Sequence, residues 1–207
     1  MTQSLRISIA AATLALAGCG GGDAPQPPSV QFPQNANLWA ALGGDAAAPA
    51  AVRKVVADAV NGLLADPMEA PYFSKVVANT SGDSSQHDTP ARLEACLTLQ
   101  FSALLGGPYS YPGPVSVPQD TANPQPEMCQ DMASAHADVG VPGCVFDQFI
   151  TDLSSVLSTD LMASGFTQAQ VGGVLGQIAP TLVGLKTTIV SPQPTYFAPN
   201  SAASCAP

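Results

Sequence analysis

The chain has 207 residues, with six Lys/Arg against fifteen Asp/Glu, a formal charge of −9 and only two histidines. So acidic a balance argues against nucleic acid as a partner and against adsorption to anionic lipid. The acids are scattered singly, as on a solvated surface, and the length beyond a leader and linker suffices for one domain with one real core.

In chain order, Arg6 first precedes the apolar run "ISIAAATLALAG", which ends at Cys19. The run is too short for a permanent membrane span and matches the core of an export signal over residues 1–18. Leu16-Ala17-Gly18 before Cys19 resembles the bacterial lipobox. That resemblance implies cleavage before Cys19, acylation of its thiol and a lipid anchor in the membrane. An ordinary secretory signal cut nearby is the alternative. Gly20 after the cysteine favours the outer membrane of a bacterial cell envelope, with the domain facing the periplasm. Residues 19–37 then form a Gly/Pro-rich tether.

Val52, Val55, Val56, Ala59, Val60, Leu63 and Leu64 recur at helical spacing, and Asp66-Pro67 stops that helix. The next helix starts with Thr89 as N-cap and Pro90 at the first helical position. Leu93, Leu97, Phe101, Leu104 and Leu105 line one face of it, and Gly106-Gly107-Pro108 ends it. Residues 112–127 hold five of the twenty prolines and read as an irregular loop. "DMASAHADVGV" follows, a short helical run that carries His136. Two long helical patterns complete the domain. The first runs through Val145, Phe146, Phe149, Ile150, Leu153, Val156 and Leu157. The second opens with a capping-box pattern at Thr167 to Gln170, is weakened by Gly172, Gly173 and Gly176, and is expected to kink at Pro180. No alternating strand pattern of useful length is present, so the predicted class is all-α.

Cys96, Cys129, Cys144 and Cys205 remain after lipidation of Cys19. In an exported chain an even number implies two disulfides, and four cysteines allow three pairings. The pairing expected here is Cys129–Cys144, bracketing His136, with Cys205 tied to Cys96. No spacing fits a zinc site or covalent haem attachment.

The segments "LWAALGG" (38–44), "VVADAVNGLLADP" (55–67), "APYFSKV" (70–76), "ARLEACLTLQFSALLGGPYSYPG" (91–113), "MASAHADVGV" (132–141) and "VLGQIAPTLVGLKTTIV" (174–190) occur in fixed order. In order and character they resemble the truncated haemoglobins of group I. The resemblance implies a two-over-two helical sandwich around one haem b over residues 38–190. Insertions fall near 78–89 and 114–131, and residues 191–207 form a C-terminal tail. It places glycine pairs where the backbone turns left-handed, at Gly43-Gly44 and Gly106-Gly107.

By the same resemblance His136 is the proximal ligand of the haem iron, its other ring nitrogen donating to a backbone carbonyl. Phe73 stacks on the haem, and Val141 and Phe146 are apolar haem contacts. Tyr111 is a propionate hydrogen-bond donor. Read without the resemblance, Phe73, Val141 and Phe146 are simply core residues, and His136 a surface or satisfied core histidine.

The chain departs from the family on the distal side. Val60 and Leu97 stand where a tyrosine and a glutamine commonly hydrogen-bond bound oxygen, and Leu93 occupies the distal gate. None of the three carries a donor, and losing two such bonds costs about 1.5–3 kcal/mol each. Fast oxygen release, easy autoxidation and a relative preference for CO or NO are expected. Cys96 replaces a propionate-binding cation, a part that Arg92 takes over; as a haem ligand Cys96 is less favoured than as half of a disulfide. Gln100 replaces an aromatic, with Phe101 retained beside it. His87, in the loop before this helix, reads as a solvent-exposed histidine more than a sixth ligand.

The function implied is reversible binding of a diatomic gas, O2, NO or CO, at haem iron opposite His136. Conversion of NO with O2 to nitrate would also require a reductase partner, and peroxidase chemistry a distal acid or base, and the apolar distal positions favour neither. A third reading is a haem-less interaction module stapled by disulfides.

Overall fold

The computed structural model describes residues 36–78, 89–117, 127–197 and Cys205. The export signal 1–18, the lipidation site Cys19, nearly all of the tether and His87 lie outside the described residues. The all-α class holds: α1 (Ala36–Ala41), α2 (Gly44–Ala65), a 3-10 turn (Ala70–Phe73), α3 (Ser74–Ala78), α4 (Pro90–Leu104), α5 (Met132–His136), α6 (Gly143–Ala163), α7 (Gln168–Gly184) and α8 (Lys186–Ile189). A two-residue antiparallel pair, β1 (Pro114–Val115) with β2 (Glu127–Met128), ties the ends of the proline-rich loop. Among the described residues no helix is long and apolar enough to cross a membrane.

The two glycine pairs work differently. Gly43 and Gly44 both take positive φ, 94° and 60°, turning the chain from α1 into α2. Gly106 is also left-handed at 86°, but Gly107 is not. Its hydrogen is needed for space: a Cβ there would lie 2.8 Å from the Ser102 carbonyl oxygen and 3.0 Å from the Trp39 ring. Trp39 is fixed in that slot by its own N–H donating to the Leu105 carbonyl and by its indole N–H donating to Asp45, at 2.9 and 2.8 Å.

α2 extends further toward the N-terminus than its apolar periodicity suggests. Its buried face, Val52, Val55, Val56, Ala59, Val60 and Leu63, packs against α4 and α6. α6 packs in turn against α7, whose Val171, Val174, Ile178 and Leu182 face the core. Lys54 of α2 reaches both Asp58 and the buried Asp160 of α6, a polar clamp across the helix pair. The caps form as the sequence suggests. Thr89 accepts the Arg92 N–H, and Thr167 and Gln170 exchange the reciprocal bonds of a capping box. Pro180 is accommodated within α7.

The expected disulfide pairing is wrong. The bonds are Cys96–Cys129 and Cys144–Cys205. The reason lies in β1 and β2: they pair the two ends of the proline-rich loop beside α4, with the Cys129 N–H donating to the Gly113 carbonyl. Cys129 is thereby brought beside α4, while Cys144 at the start of α6 is left for the tail.

Candidate functional site

α5 is only five residues long and is held by its cap. The Asp131 carboxylate accepts the N–H groups of Ala133 and Ser134 and the Ser134 hydroxyl, at 2.7 to 3.0 Å. The bonds from Ser134, chiefly, hold the Asp131 carboxyl below the usual carboxylate range. His136 closes this helix, with Nδ1 2.8 Å from the Met132 carbonyl oxygen. A carbonyl only accepts, so Nδ1 carries the proton and Nε2 keeps its lone pair. Burial pushes the imidazole pKa down, against the opposing effect of the Met132 bond. The result is a neutral imidazole in a fixed tautomer, with one nitrogen left for a ligand.

His136 lines a cavity of about 280 Å³, at the small end for a small-molecule site. The cavity lies where α4, the 3-10 turn, α5 and the first turns of α6 converge. Phe73, Leu93, Leu97, Val141 and Phe146 are all on its wall, with Leu63, Val145, Phe149 and Ile189 completing an apolar surface. Arg92 and Tyr111 also line it. Val60 and Phe101 do not: both are buried in the helix core behind the wall.

The two polar residues expected to reach a haem edge have partners within the protein. The Arg92 guanidinium lies 2.8 Å from the Glu127 carboxylate and donates to the Met128 carbonyl, joining α4 to β2. The Tyr111 hydroxyl donates to the Gln130 carbonyl at 2.7 Å. Burial, with Asp131 nearby, pushes the Tyr111 pKa up to about 12, the positive Arg92 working the other way. Cys96 is on the wall as half of a disulfide, which leaves it no thiolate for a metal.

No family model matches the chain, and no curated protein matches it either.

Among the described residues no three His, Cys, Asp or Glu side chains come together to hold a bare metal ion. The donor set at the cavity is one neutral imidazole in an apolar surround. That set suits a metal which brings its own equatorial ligands inside a flat apolar macrocycle, so the residues fit haem b.

Two wall residues escape the sequence reading of a donor-free pocket. Glu69, 1% exposed, and Gln100, 5% exposed, both line the cavity. Gln100 is legible in retrospect, being three residues beyond Leu97 and seven beyond Leu93 on one helical face. Glu69 is not legible, because the helical period stops at Asp66-Pro67 and nothing in "MEAPYF" says which way a turn residue faces. It is the Asp66 side chain that turns it inward, by accepting the Met68 and Glu69 N–H groups at 2.6 and 3.2 Å.

One further feature borders the cavity. Residues 191–197 cross from the α5–α6 connection to the 3-10 turn. Ser191 N–H donates to the Val141 carbonyl, Thr195 N–H to the Gly140 carbonyl, and the Tyr72 hydroxyl to the Thr195 carbonyl. Phe197 packs edge-on against Tyr72, with ring centroids 5.1 Å apart. Gly140 has φ 73°, and a Cβ on it would lie 2.5 Å from the Thr195 hydroxyl, so a side chain there would displace the segment.

Proposed function

We propose that the chain is a truncated-globin-like protein that binds haem b in this cavity and, opposite His136, a diatomic gas. The observation that carries the reading is the His136 imidazole: neutral, its tautomer set by Met132, and set in an apolar cavity also lined by Phe73, Leu93, Leu97, Val141 and Phe146. In this reading α2 with α4 and α6 with α7 are the two helix pairs of the two-over-two sandwich.

The chain's own residues have definite parts in that reading. His136 would hold the haem iron through Nε2, and its bond to Met132 keeps the ring oriented with that nitrogen free of a proton. Phe73 and Phe146 give flat apolar surface for a macrocycle, and Leu93, Leu97, Val139 and Val141 exclude water. Lys75, exposed at the rim, offers a cation for carboxylates at the cofactor's edge. The bound haem would supply the iron at which a gas ligand is held and released. The single domain would hang from Cys19 on a lipid anchor at the outer membrane, facing the periplasm. Two disulfides support an oxidising compartment.

The test is uptake of haemin by the chain exported to an oxidising compartment, followed by visible spectra of the ferric, ferrous and CO-bound forms, with His136→Ala alongside. A stoichiometric Soret band that shifts with CO and is lost or weakened in the variant is the expected result. A folded, helical chain that takes up no haem would sink the reading, and leave an interaction module stapled by its disulfides.

A further inference from the structure

Glu69 is the most deeply placed ionisable group on the cavity wall. Both of its carboxyl oxygens are buried and neither has a hydrogen-bond partner among the described residues. A charged carboxylate in that position would forfeit its hydration with nothing in return. The neutral acid costs much less, but its O–H is a donor that still lacks an acceptor. The acidic side chains that act on it are Asp66 beside it and Asp152 of α6, and both disfavour its charge. The other charged or titratable groups on the wall are Lys75, Arg92, His136, Tyr72 and Tyr111. Lys75 stands at the exposed rim, Arg92 is paired with Glu127, the imidazole is neutral, and the two tyrosine hydroxyls donate to the Thr195 and Gln130 carbonyls. Glu69 enters from the junction of α2 with the 3-10 turn and His136 from α5, so the two come from different walls.

We infer that Glu69, a neutral carboxylic acid, is a hydrogen-bond donor of this cavity alongside Gln100, which also lines it, and that its proton is offered to a small bound ligand with an acceptor atom. The inference rests on the haem reading above. It replaces the donor that the apolar residues Val60, Leu93 and Leu97 do not supply, and it shifts the preference from ligands that need no hydrogen bond toward oxygen. Ligands that accumulate negative charge on their outer atom gain most from such a donor.

The experiment uses the haemin-loaded full chain, reduced and CO-bound, with Glu69→Gln and Glu69→Leu. The readout is the infrared C–O stretch in H2O and in D2O. A donor on the outer atom lowers that stretch. The wild-type band should therefore lie below that of Glu69→Leu and move in D2O, and Glu69→Gln, which keeps an N–H donor, should retain most of the lowering. Oxygen dissociation should speed up about tenfold or more in Glu69→Leu, the worth of one good hydrogen bond. Coincident C–O bands in wild type and Glu69→Leu, in a protein with a normal Soret band, would overturn the inference and leave the haem reading standing. Absence of any Soret band overturns the haem reading and this inference with it. The haem-free chain gives an independent check. At neutral pH it should show a protonated-carboxyl C=O band that disappears in Glu69→Gln, and finding only carboxylate stretches would also overturn the inference.

Discussion

Asp66 holds Glu69 by its backbone and resists its ionisation through space. The Asp66 carboxylate accepts the Glu69 N–H at 3.2 Å, and its charge adds to burial, the larger effect, in raising the Glu69 pKa to about 8. A carboxyl whose pKa is raised on folding binds more protons folded than unfolded between its ordinary value near 4.5 and about 8. Stability should therefore fall as pH rises through that window, by a few kcal/mol at most. Urea midpoints of the haem-free chain at pH 5 and pH 8 measure the slope, and Glu69→Gln should flatten it. His136 acts in the opposite sense, because its lowered pKa removes stability as pH falls below its ordinary 6.5. If Glu69→Gln keeps the wild-type slope, Glu69 is not the group responsible.

The two disulfides close spans of 33 and 61 residues. On loop entropy each should contribute about 3–4 kcal/mol, with the Cys144–Cys205 bond the larger contributor. Their sum is comparable to the whole stability of an ordinary domain, roughly 5–15 kcal/mol. Denaturant titrations of Cys96→Ser/Cys129→Ser and of Cys144→Ser/Cys205→Ser should each show a clearly lowered midpoint. The fully reduced chain should be marginal or unfolded. A reduced chain as resistant as the oxidised one would contradict this.

Gly107→Ala should destabilise the fold by about 1–3 kcal/mol, since the added methyl has to displace either the Ser102 carbonyl or the Trp39 ring. Trp39 is the only tryptophan in the chain, so its emission reports on this corner alone. A shifted emission maximum should accompany the loss of stability, and an unchanged spectrum at unchanged stability would mean that the slot is looser than its distances imply.

Tyr72→Phe removes the hydroxyl that reaches Thr195 and should cost about 0.5–1.5 kcal/mol. Gly140→Ala should cost at least as much, by adding a methyl at positive φ against Thr195. Limited proteolysis between residues 190 and 197 should be faster in both variants. Equal cleavage rates in wild type and variants would show that these contacts do not hold the segment down.

How much of this was legible in the sequence depended on whether a residue belonged to a periodic element. Thr89, Pro90 and Thr167 announced two helix starts, because capping chemistry is local, and the apolar face of α2 was readable from spacing alone. Leu93 and Leu97 were readable as one helical face from spacing, whereas the place of His136 and Phe146 at the cavity was reachable only through the resemblance, since by spacing alone they read as core or surface residues. Glu69 was hidden because it sits in a non-helical turn whose direction is set by the Asp66 side chain. The disulfide pairing was hidden for a related reason: β1 and β2 are each two residues long, too short to leave a pattern, yet they decide which helix Cys129 meets. The tail segment gave no signal, since its bonds to Val141 and Gly140 are made by backbone groups, which every sequence possesses, and Phe197 meets Tyr72 from a non-periodic stretch.

That segment also sets a timetable for the protein's synthesis. Residues 191–197 are translated after every helix described here, yet they bridge Gly140 and Tyr72 on two sides of the cavity. A growing chain can stack α2, α4 and α6 as soon as they are made, but it cannot yet form the bonds that bridge Gly140 and Tyr72. The ties to Gly140 and Tyr72 are thus reserved for a chain made almost whole, and clipped products lack them.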